Sequence, residues 1–186
     1  MSLRTFLLGG YWRDRSADAA AIATPRGPLA VRPVTPADAG LVKAFVESLS
    51  PESRYNRFFQ SFQTMPPSLL DRFVGIDVAR HVALVAVAAA DGKPAIVGEA
   101  RYCLEDDFSV ADVALAVDDH WQGLGVGRGL LQLLERRAAN KDILHLKGEV
   151  LAGNNRMIEF ARNRGFQIWP DDEDRRLLRI AKTLMV

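Results

Sequence analysis

Four glycines stand at alternate positions, Gly123, Gly125, Gly127 and Gly129, just before a stretch whose apolar residues follow helical spacing. Glycine loses more conformational freedom than any other residue when it is fixed, so this density needs a physical reason. The first N–H groups of a helix lack internal partners and the helix dipole favours negative charge there, so bare backbone at a helix start binds anions. The segment therefore predicts a cradle for a phosphate-bearing ligand at the start of a helix over 125–139.

Two nucleotide-loop interpretations of these glycines fail on spacing. A dinucleotide fingerprint needs G-x-G-x-x-G near the start of a βαβ unit, and strict alternation leaves no glycine at its last position. A Walker loop needs Gly-Lys-Ser/Thr, which is absent here. A strand-to-helix turn that is merely glycine-rich stays open as an alternative, although it accounts for only one or two of the glycines.

A candidate general base precedes the glycines on a predicted strand. Strand alternation puts Asp112, Ala114, Ala116 and Asp118 on one face. A carboxylate in line with two alanines leaves open space beside it, as a substrate cleft requires, and partial burial would raise its pKa. The alternative, that Asp112 is a solvated or hydrogen-bonded strand residue, stays open.

Other reactive side chains are weaker candidates. Glu149 is the second choice of acid, but His145 and Lys147 share its face, so an exposed polar face explains the trio better. Glu99 and Arg101 alternate in the same way and are expected to face water. Cys103 is not expected to act as an acyl-accepting nucleophile, because no histidine lies beside it in the sequence and buried cysteines are common.

Composition limits the class of protein. The 186 residues fit one domain, and a net charge of +1 recruits neither nucleic acid nor an anionic membrane. The longest apolar run, 82–90, is too short to span a bilayer. The single Cys103 excludes an internal disulfide framework and suits a reducing cytoplasm. Three isolated histidines and one cysteine predict no metal site.

The positions of helices and strands follow from periodicity and turn residues. Residues 1–28 mix small residues, proline and glycine, which predicts an extension or linker with one strand near 6–12, and the folded domain is expected over 29–186. The domain begins with a strand and a helix capped by Thr35 and Asp38, and two more short helices follow. Asp91-Gly92 predicts a hairpin within an antiparallel meander over 81–118. The later elements are a helix to about 140, a strand over 143–151, a helix over 154–164 and two final strands. The fold class is α/β: a mixed, mostly antiparallel sheet flanked by helices, with one central βαβ crossover.

Several segments carry a family resemblance. The run Gln122–Gly127 resembles the Q/R-x-x-G-x-G/A motif of the GNAT acetyltransferases, and VRPVTPAD and LAGNNRMIEFARNRGF resemble the start and later part of that domain. More narrowly, LSPESRYNRFF, GEA, LAVDDHWQGLGVGRGL and GEVLAGNNRM are similar to the acetyltransferase module of bacterial protein lysine acetyltransferases. The resemblance covers about 29–170 and implies a GNAT-like fold.

The resemblance also implies a set of residues that bind acetyl-CoA. In the family, the backbone of the strand before the glycines pairs with the pantetheine arm, and the loop amides hold the pyrophosphate. The implied positions are Leu115, Ala116, Val117, Gln122, Gly123, Leu124, Gly125, Val126, Gly127, Arg128, Gly129, Asn154 and Phe160. Asp112 occupies the position of a glutamate proposed as general base, one methylene shorter, so a bridging water is expected.

One position departs from the family pattern. Many family members have a tyrosine that protonates the leaving thiolate, and Phe160 stands there in this chain. Either the thiolate leaves unassisted or another group, such as Tyr102, serves. Asn154 is equally well explained as a helix N-cap.

The expected activity is acetyl-CoA-dependent N-acetylation by direct attack, with a protein lysine as acceptor. A small amine as acceptor, or a non-catalytic acyl-CoA sensor, are the alternatives. The expected partners are acetyl-CoA and the acceptor amine, without metal, nucleic acid or membrane, in a cytoplasmic monomer or homodimer.

Overall fold

Eight strands form one sheet in the order β1-β2-β3-β4-β5-β6-β8-β7. The computed structural model describes residues 20–75, 77–90 and 92–184. The strands are β1 (Ala20–Thr24), β2 (Gly27–Pro33), β3 (His81–Ala90), β4 (Lys93–Leu104), β5 (Val110–Val117), β6 (His145–Leu151), β7 (Gln167–Pro170) and β8 (Leu177–Thr183). The helices are α1 (Ala39–Ser48), α2 (Pro51–Phe58), α3 (Pro67–Val74), α4 (Val126–Ala139) and α5 (Asn155–Asn163), with short 3-10 turns at Pro36–Asp38 and Asp119–Trp121.

The pairing pattern confirms the predicted fold class. Strands β1 to β5 form an antiparallel meander, and the predicted hairpin between β3 and β4 closes with Ala90 opposite Lys93. β5 and β6 pair in parallel, and α4 connects them. β8 then lies antiparallel between β6 and β7. The result is a mixed, mostly antiparallel sheet with a single parallel pair at its centre.

Two local signals in the sequence set the starts of the first helices. The Asp38 carboxylate accepts the backbone N–H of Thr35 at 2.8 Å and its hydroxyl at 2.9 Å, as the predicted cap requires. Ser50 caps α2 by accepting the N–H of Ser53 at 3.1 Å, with Pro51 as the first helical residue. The first cap precedes α1 and the second begins α2.

Each face of the sheet has its own apolar core. Helix α4 packs on one face, where Leu130 and Leu134 are fully buried, and α1 and α3 cover the other, where Val46 and Phe73 are buried. Helix α4 lies close to β4 because Gly98 has no side chain: a Cβ there would be 2.9 Å from Leu130. The position of α4 fixes where its N-terminus, the glycine segment, meets the sheet.

Part of the segment expected to be an extension or linker belongs to the sheet. Residues 20–24 form β1, which pairs with β2, and Ile22 is buried in the core under α4. A Cβ at Gly129 would lie 2.5 Å from Ile22, so this glycine allows β1 to pack against α4. The strand expected near 6–12 lies outside the described residues, and the domain limits 1–28 and 29–186 stay predictions.

Candidate active site

The glycine segment forms an open turn at the start of α4. Gly123 (φ 78°) and Gly125 (φ 88°) adopt left-handed conformations, which favour glycine over residues with a Cβ. The first hydrogen bond of the helix runs from the N–H of Gly129 to the carbonyl of Gly125 at 2.9 Å. The N–H groups of 126–128 therefore precede the hydrogen-bonded ladder, as an anion site requires.

A cleft of roughly 390 Å³ lies between this turn, β5, α2 and α5. Ten of the predicted carrier-binding residues line it: Leu115, Ala116, Val117, Gln122, Gly123, Gly125, Gly127, Arg128, Asn154 and Phe160. Gly127 keeps the cleft open beside the strand, since a Cβ there would already touch Leu115 at 3.4 Å and Val117 at 3.5 Å. The cleft joins the anion cradle to the strand segment predicted to hold an extended ligand.

The other three predicted residues do not line the cleft. The Val126 side chain is 1% exposed and belongs to the core under α4. Gly129 makes room for Ile22, so its lack of a side chain serves packing. Leu124 is partly buried in the turn. For Leu124, Val126 and Gly129, only the backbone remains available for an anion, and the spacing of side chains in the sequence could not show this.

A second cavity, of roughly 320 Å³, continues from the cleft toward Asp112. The two cavities share Asn56, Arg57, Leu115, Asn154, Met157 and Phe160, so they are neighbouring parts of one groove. Parallel pairing between β5 and β6 ends with Asp112 opposite Lys147, although both strands continue further. The groove thus occupies the gap that opens where the two strands stop pairing.

Asp112 and Glu149 both line this second cavity. The pKa of Asp112 is raised, first by partial burial and then by the nearby carboxylates Glu105 and Glu149, while Lys147 opposes the shift. Lys147 forms an ion pair with Glu105, which raises the pKa of Lys147 and divides its charge between two carboxylates. The pKa of Asp112 is therefore shifted in the direction that general-base catalysis requires. Glu149 and His145 are exposed, as the polar-face interpretation expects, and Glu149 also lines the cavity.

Asn154 and Phe160 line the groove on the side formed by α5. The Asn154 side chain caps α5 by accepting the N–H of Met157 at 3.0 Å, as the N-cap interpretation expects, and it also lines both cavities. Phe160 lines both cavities and offers no proton donor. Tyr102 is 1% exposed in the core, where burial raises its pKa to about 12, and it lines neither part of the groove.

A hydrogen-bond network fastens α2 to the glycine segment. The Asp119 carboxylate accepts the backbone N–H of Ser50 at 2.9 Å and the Ser53 hydroxyl at 2.6 Å. Gln122 donates to the Val117 carbonyl at 3.0 Å and accepts from Arg156. Gln122, predicted to bind the carrier, therefore also fixes the turn between β5 and α4.

Glu99 and Arg101, expected to face water, lie inside the protein instead. Glu99 is 1% exposed, and Arg101 Nε donates to it at 2.5 Å. Arg57 of α2, not singled out in the sequence, donates to the same carboxylate at 3.4 Å. Position in the sheet is the reason: β4 has strands on both sides and α2 and α3 above this face. A charged residue in the run IVGEARY, inside a long apolar meander, was the available signal.

Two kinds of site are absent from the described residues. No group of three or more His, Cys, Asp or Glu side chains in 20–184 is arranged to hold a metal ion, leaving out the two gaps at 76 and 91. Within the same residues, no helix has the length and apolar character needed to cross a membrane. Cys103 lies opposite Asp112 on β4 and lines only a separate small cavity with His81.

Known proteins are similar to this chain in sequence. The family described as "Acetyltransferase (GNAT) family" matches residues 44–166. Acetyltransferase PA5475 of Pseudomonas aeruginosa is 29% identical over 153 residues, 81% of this chain and 82% of that protein. Acetyltransferase Pat of Mycolicibacterium smegmatis is 30% identical over 128 residues, which are 68% of this chain but 38% of that protein.

Solved structures extend the similarity to three dimensions. The GNAT domain of S. lividans PAT aligns with a TM-score of 0.83 at 27% identity, covering 92% of this chain and 99% of that one. A cAMP-binding acyltransferase from Mycobacterium smegmatis aligns with a TM-score of 0.61 over 90% of this chain and 48% of its own, and at 24% identity it shows the fold alone. The family match, the mixed sheet and the glycine turn beside β5 agree, and the chain belongs to the GNAT family of acetyltransferases, enzymes that use an acyl-CoA co-substrate.

Proposed function

We propose that this chain transfers an acetyl group from acetyl-CoA to an amine, with a protein lysine side chain as the preferred acceptor. The observation that carries the proposal is the continuity of the groove, which starts at the glycine cradle, follows β5 and ends at Asp112. Pyrophosphate fits the N–H groups at the start of α4, and Arg128 at the same edge adds a positive charge. A pantetheine arm fits beside 115–117.

The residues of the chain have separate tasks in this proposal. Acetyl-CoA supplies the activated acyl group as a thioester. Asp112, with its raised pKa, accepts a proton from the incoming ammonium through a bridging water, which leaves a neutral amine able to attack. The amine nitrogen gains the acyl group as the carbon–sulfur bond breaks, and the thiolate leaves unassisted because Phe160 carries no proton.

The acceptor end of the groove supports an amine substrate. Asp112 and Glu149 give this end negative charge, which favours a cationic acceptor before it loses its proton. The apolar ring of Phe59 lies at the same end and could cover the methylene chain of a lysine. Names of similar proteins, Pat and PAT, favour the protein acetyltransferase interpretation. The lone Cys103 supports a reducing, cytoplasmic location.

The proposal is tested by incubating a host lysate with the purified chain and isotopically labelled acetyl-CoA. Mass spectrometry is expected to find label on protein lysines, and omission of the enzyme controls for chemical acetylation. Thiol release measured with DTNB across a panel of amino acids, polyamines and aminoglycosides forms the second arm. Thiol release with small amines, together with no label on protein lysines, would contradict the lysine acceptor. Binding of acetyl-CoA with neither label on protein nor thiol release with any amine would contradict catalysis and favour the sensor alternative.

A further inference from the structure

Arg57 lies where the two parts of the groove meet. It lines both cavities, and its side chain is 13% exposed. The rings of Phe58 and Phe73 flank its guanidinium, with centroids 5.2 Å and 5.4 Å away. This buried cation is thus held beside the point where the carrier and acceptor halves of the groove join.

Most of the donors of Arg57 have no protein acceptor. Its one hydrogen bond within the described residues runs from Nη2 to Glu99 at 3.4 Å, which is long. Its Nε is buried without a partner, as is that of Arg54, so the two arginines differ in their Nη atoms. Arg54, one turn earlier on α2, contrasts with Arg57: both Nη atoms of Arg54 donate to two carbonyls each, at 2.6–3.0 Å. Arg54 therefore fixes the loop after α2, whereas Arg57 retains N–H donors that are available to a ligand in the groove.

The charge of Arg57 is only partly compensated. Glu99, its partner, is bound more closely by Arg101 at 2.5 Å, so two cations share one carboxylate. The Arg101 guanidinium also makes a cation–π contact, 3.6 Å from the centroid of the Phe73 ring. The trio carries a net positive charge, and Arg57 is the member that lines the groove.

The opposite end of the groove is negative. Asp112 and Glu149 line the acceptor cavity that Arg57 also lines. When an amine attacks a thioester, positive charge develops on nitrogen and negative charge on the carbonyl oxygen. A groove with carboxylates at one end and a donor-rich cation at the junction matches this separation of charge.

We propose that Arg57 donates a hydrogen bond to the carbonyl oxygen of the bound acyl group and stabilises the oxyanion during transfer. The assignment rests on the proposed acetyltransferase activity. The amine lone pair forms the carbon–nitrogen bond, and the carbonyl π electrons move to the oxygen beside Arg57. Return of those electrons restores the carbonyl and expels the CoA thiolate. Asp112 takes the first proton from the ammonium before the attack, and the second proton, on the nitrogen of the tetrahedral intermediate, passes to solvent water.

The test compares Arg57→Gln with the double variant Arg57→Gln/Glu99→Gln. Loss of an oxyanion donor is expected to lower kcat by about 10²–10³-fold while the Kd of acetyl-CoA stays within about threefold. In Arg57→Gln, Glu99 keeps its closer partner Arg101, so the variant is expected to fold. The double variant is expected to show the same loss of kcat as the single variant. If Arg57 acted only by neutralising Glu99, the double variant would regain kcat, and the assignment would be overturned.

A spectroscopic measurement covers the case in which turnover is confounded by folding. Infrared difference spectra of acetyl-CoA labelled with ¹³C at the carbonyl are expected to show a lower stretching frequency on the native chain than on Arg57→Lys or Arg57→Gln. An unchanged frequency, or native kcat in Arg57→Gln, overturns the Arg57 assignment alone. A native chain that transfers acetyl to no amine overturns the proposed function together with it.

Discussion

Asp112 lies directly opposite Lys147 at the last rung of the parallel pairing between β5 and β6. Beyond this rung the strands separate, and the groove occupies the gap. The carboxylate thus lies at the edge of the reaction space with one cation as its neighbour, and that cation is shared with Glu105. The ionisation of Asp112, and the effect of Lys147 on it, can therefore be tested by substituting each residue.

Replacing Asp112 with asparagine is expected to lower kcat by about 10²–10⁴-fold, because the amide cannot accept the amine proton. The Kd of acetyl-CoA, measured by calorimetry, is expected to stay within about threefold, since the carrier cleft lies on the other side of Leu115. Asp112→Glu is the matched control and is expected to retain activity. Full kcat in the asparagine variant between pH 6 and 9 would exclude Asp112 as the base.

Lys147→Met is expected to move the acidic limb of the kcat/KM profile to higher pH. Lys147 lowers the pKa of Asp112, so its loss raises that pKa further. A base works only when ionised, and a higher pKa leaves less of it ionised at a given acidic pH, so activity falls more at pH 6 than at pH 8. Lys147→Arg retains the charge and is expected to keep the native limb. A limb that stays in place or moves to lower pH contradicts this electrostatic role.

Local sequence signals were sufficient for most of the fold. Asp91-Gly92 specified the hairpin, Thr35 and Ser50 specified helix starts, and the apolar runs on either side of the turn specified the meander, because each depends on neighbours in the chain. Strand β1 was missed because AAIAT has little alternation, although its pairing partner β2 follows after a two-residue turn. The packing of Ile22 against Gly129 of α4, by contrast, depends on a distant part of the chain that no short window includes.

Local sequence signals likewise predicted some features of the candidate site, whereas other features depend on distant parts of the chain. Spacing predicted the glycine turn and Asp112 as site residues, and both line the groove. The burial of Glu99, by contrast, depends on α2 and α3 lying over β4. Gly129 was grouped with the cradle because it continues the alternation, whereas its contact is Ile22. Arg57 was part of a helical pattern and nothing in that pattern distinguishes it from Arg54. The hydrogen-bond acceptors around each guanidinium distinguish Arg57 from Arg54, and only the structure shows them.

Gly127 and Gly129 are expected to fail in different ways when substituted. Gly127→Leu places a side chain in the carrier cleft next to Leu115 and Val117, so the Kd of acetyl-CoA is expected to rise at least about tenfold with little change in stability. Gly129→Ala forces a Cβ against Ile22 at 2.5 Å and is expected to lower the free energy of unfolding by about 1–3 kcal/mol.

Calorimetry with acetyl-CoA and urea unfolding separate these two effects. At a temperature where Gly129→Ala is folded, its affinity for acetyl-CoA is expected to stay close to native. Native affinity in Gly127→Leu would contradict the location of the carrier. A tenfold loss in folded Gly129→Ala would instead place that residue in the cradle itself.

Asp38 is expected to make stability depend on pH under acidic conditions. The Arg32 guanidinium, bound to Asp38 at 2.6 Å, and the Thr35 donors lower the pKa of this buried carboxyl to about 2. A carboxyl with a depressed pKa stabilises the fold when ionised, so its contribution is present above its ordinary pKa of 3.8 and is lost as the pH falls toward 2. Because Arg32 is 40% exposed, the contribution is expected to be only about 1–2 kcal/mol.

Urea unfolding of the native chain and Asp38→Asn checks this at pH 7 and again near pH 3. The difference in free energy of unfolding between the two is expected to shrink from pH 7 to pH 3, since near pH 3 Asp38 of the unfolded chain, with its ordinary pKa of 3.8, is already mostly protonated. Arg32→Met is the matched control, because it removes the main cause of the depressed pKa, and it is expected to abolish most of this pH dependence. A difference that stays constant from pH 7 to 3 would mean that packing around the start of α1, rather than the Arg32–Asp38 ion pair, makes the contribution.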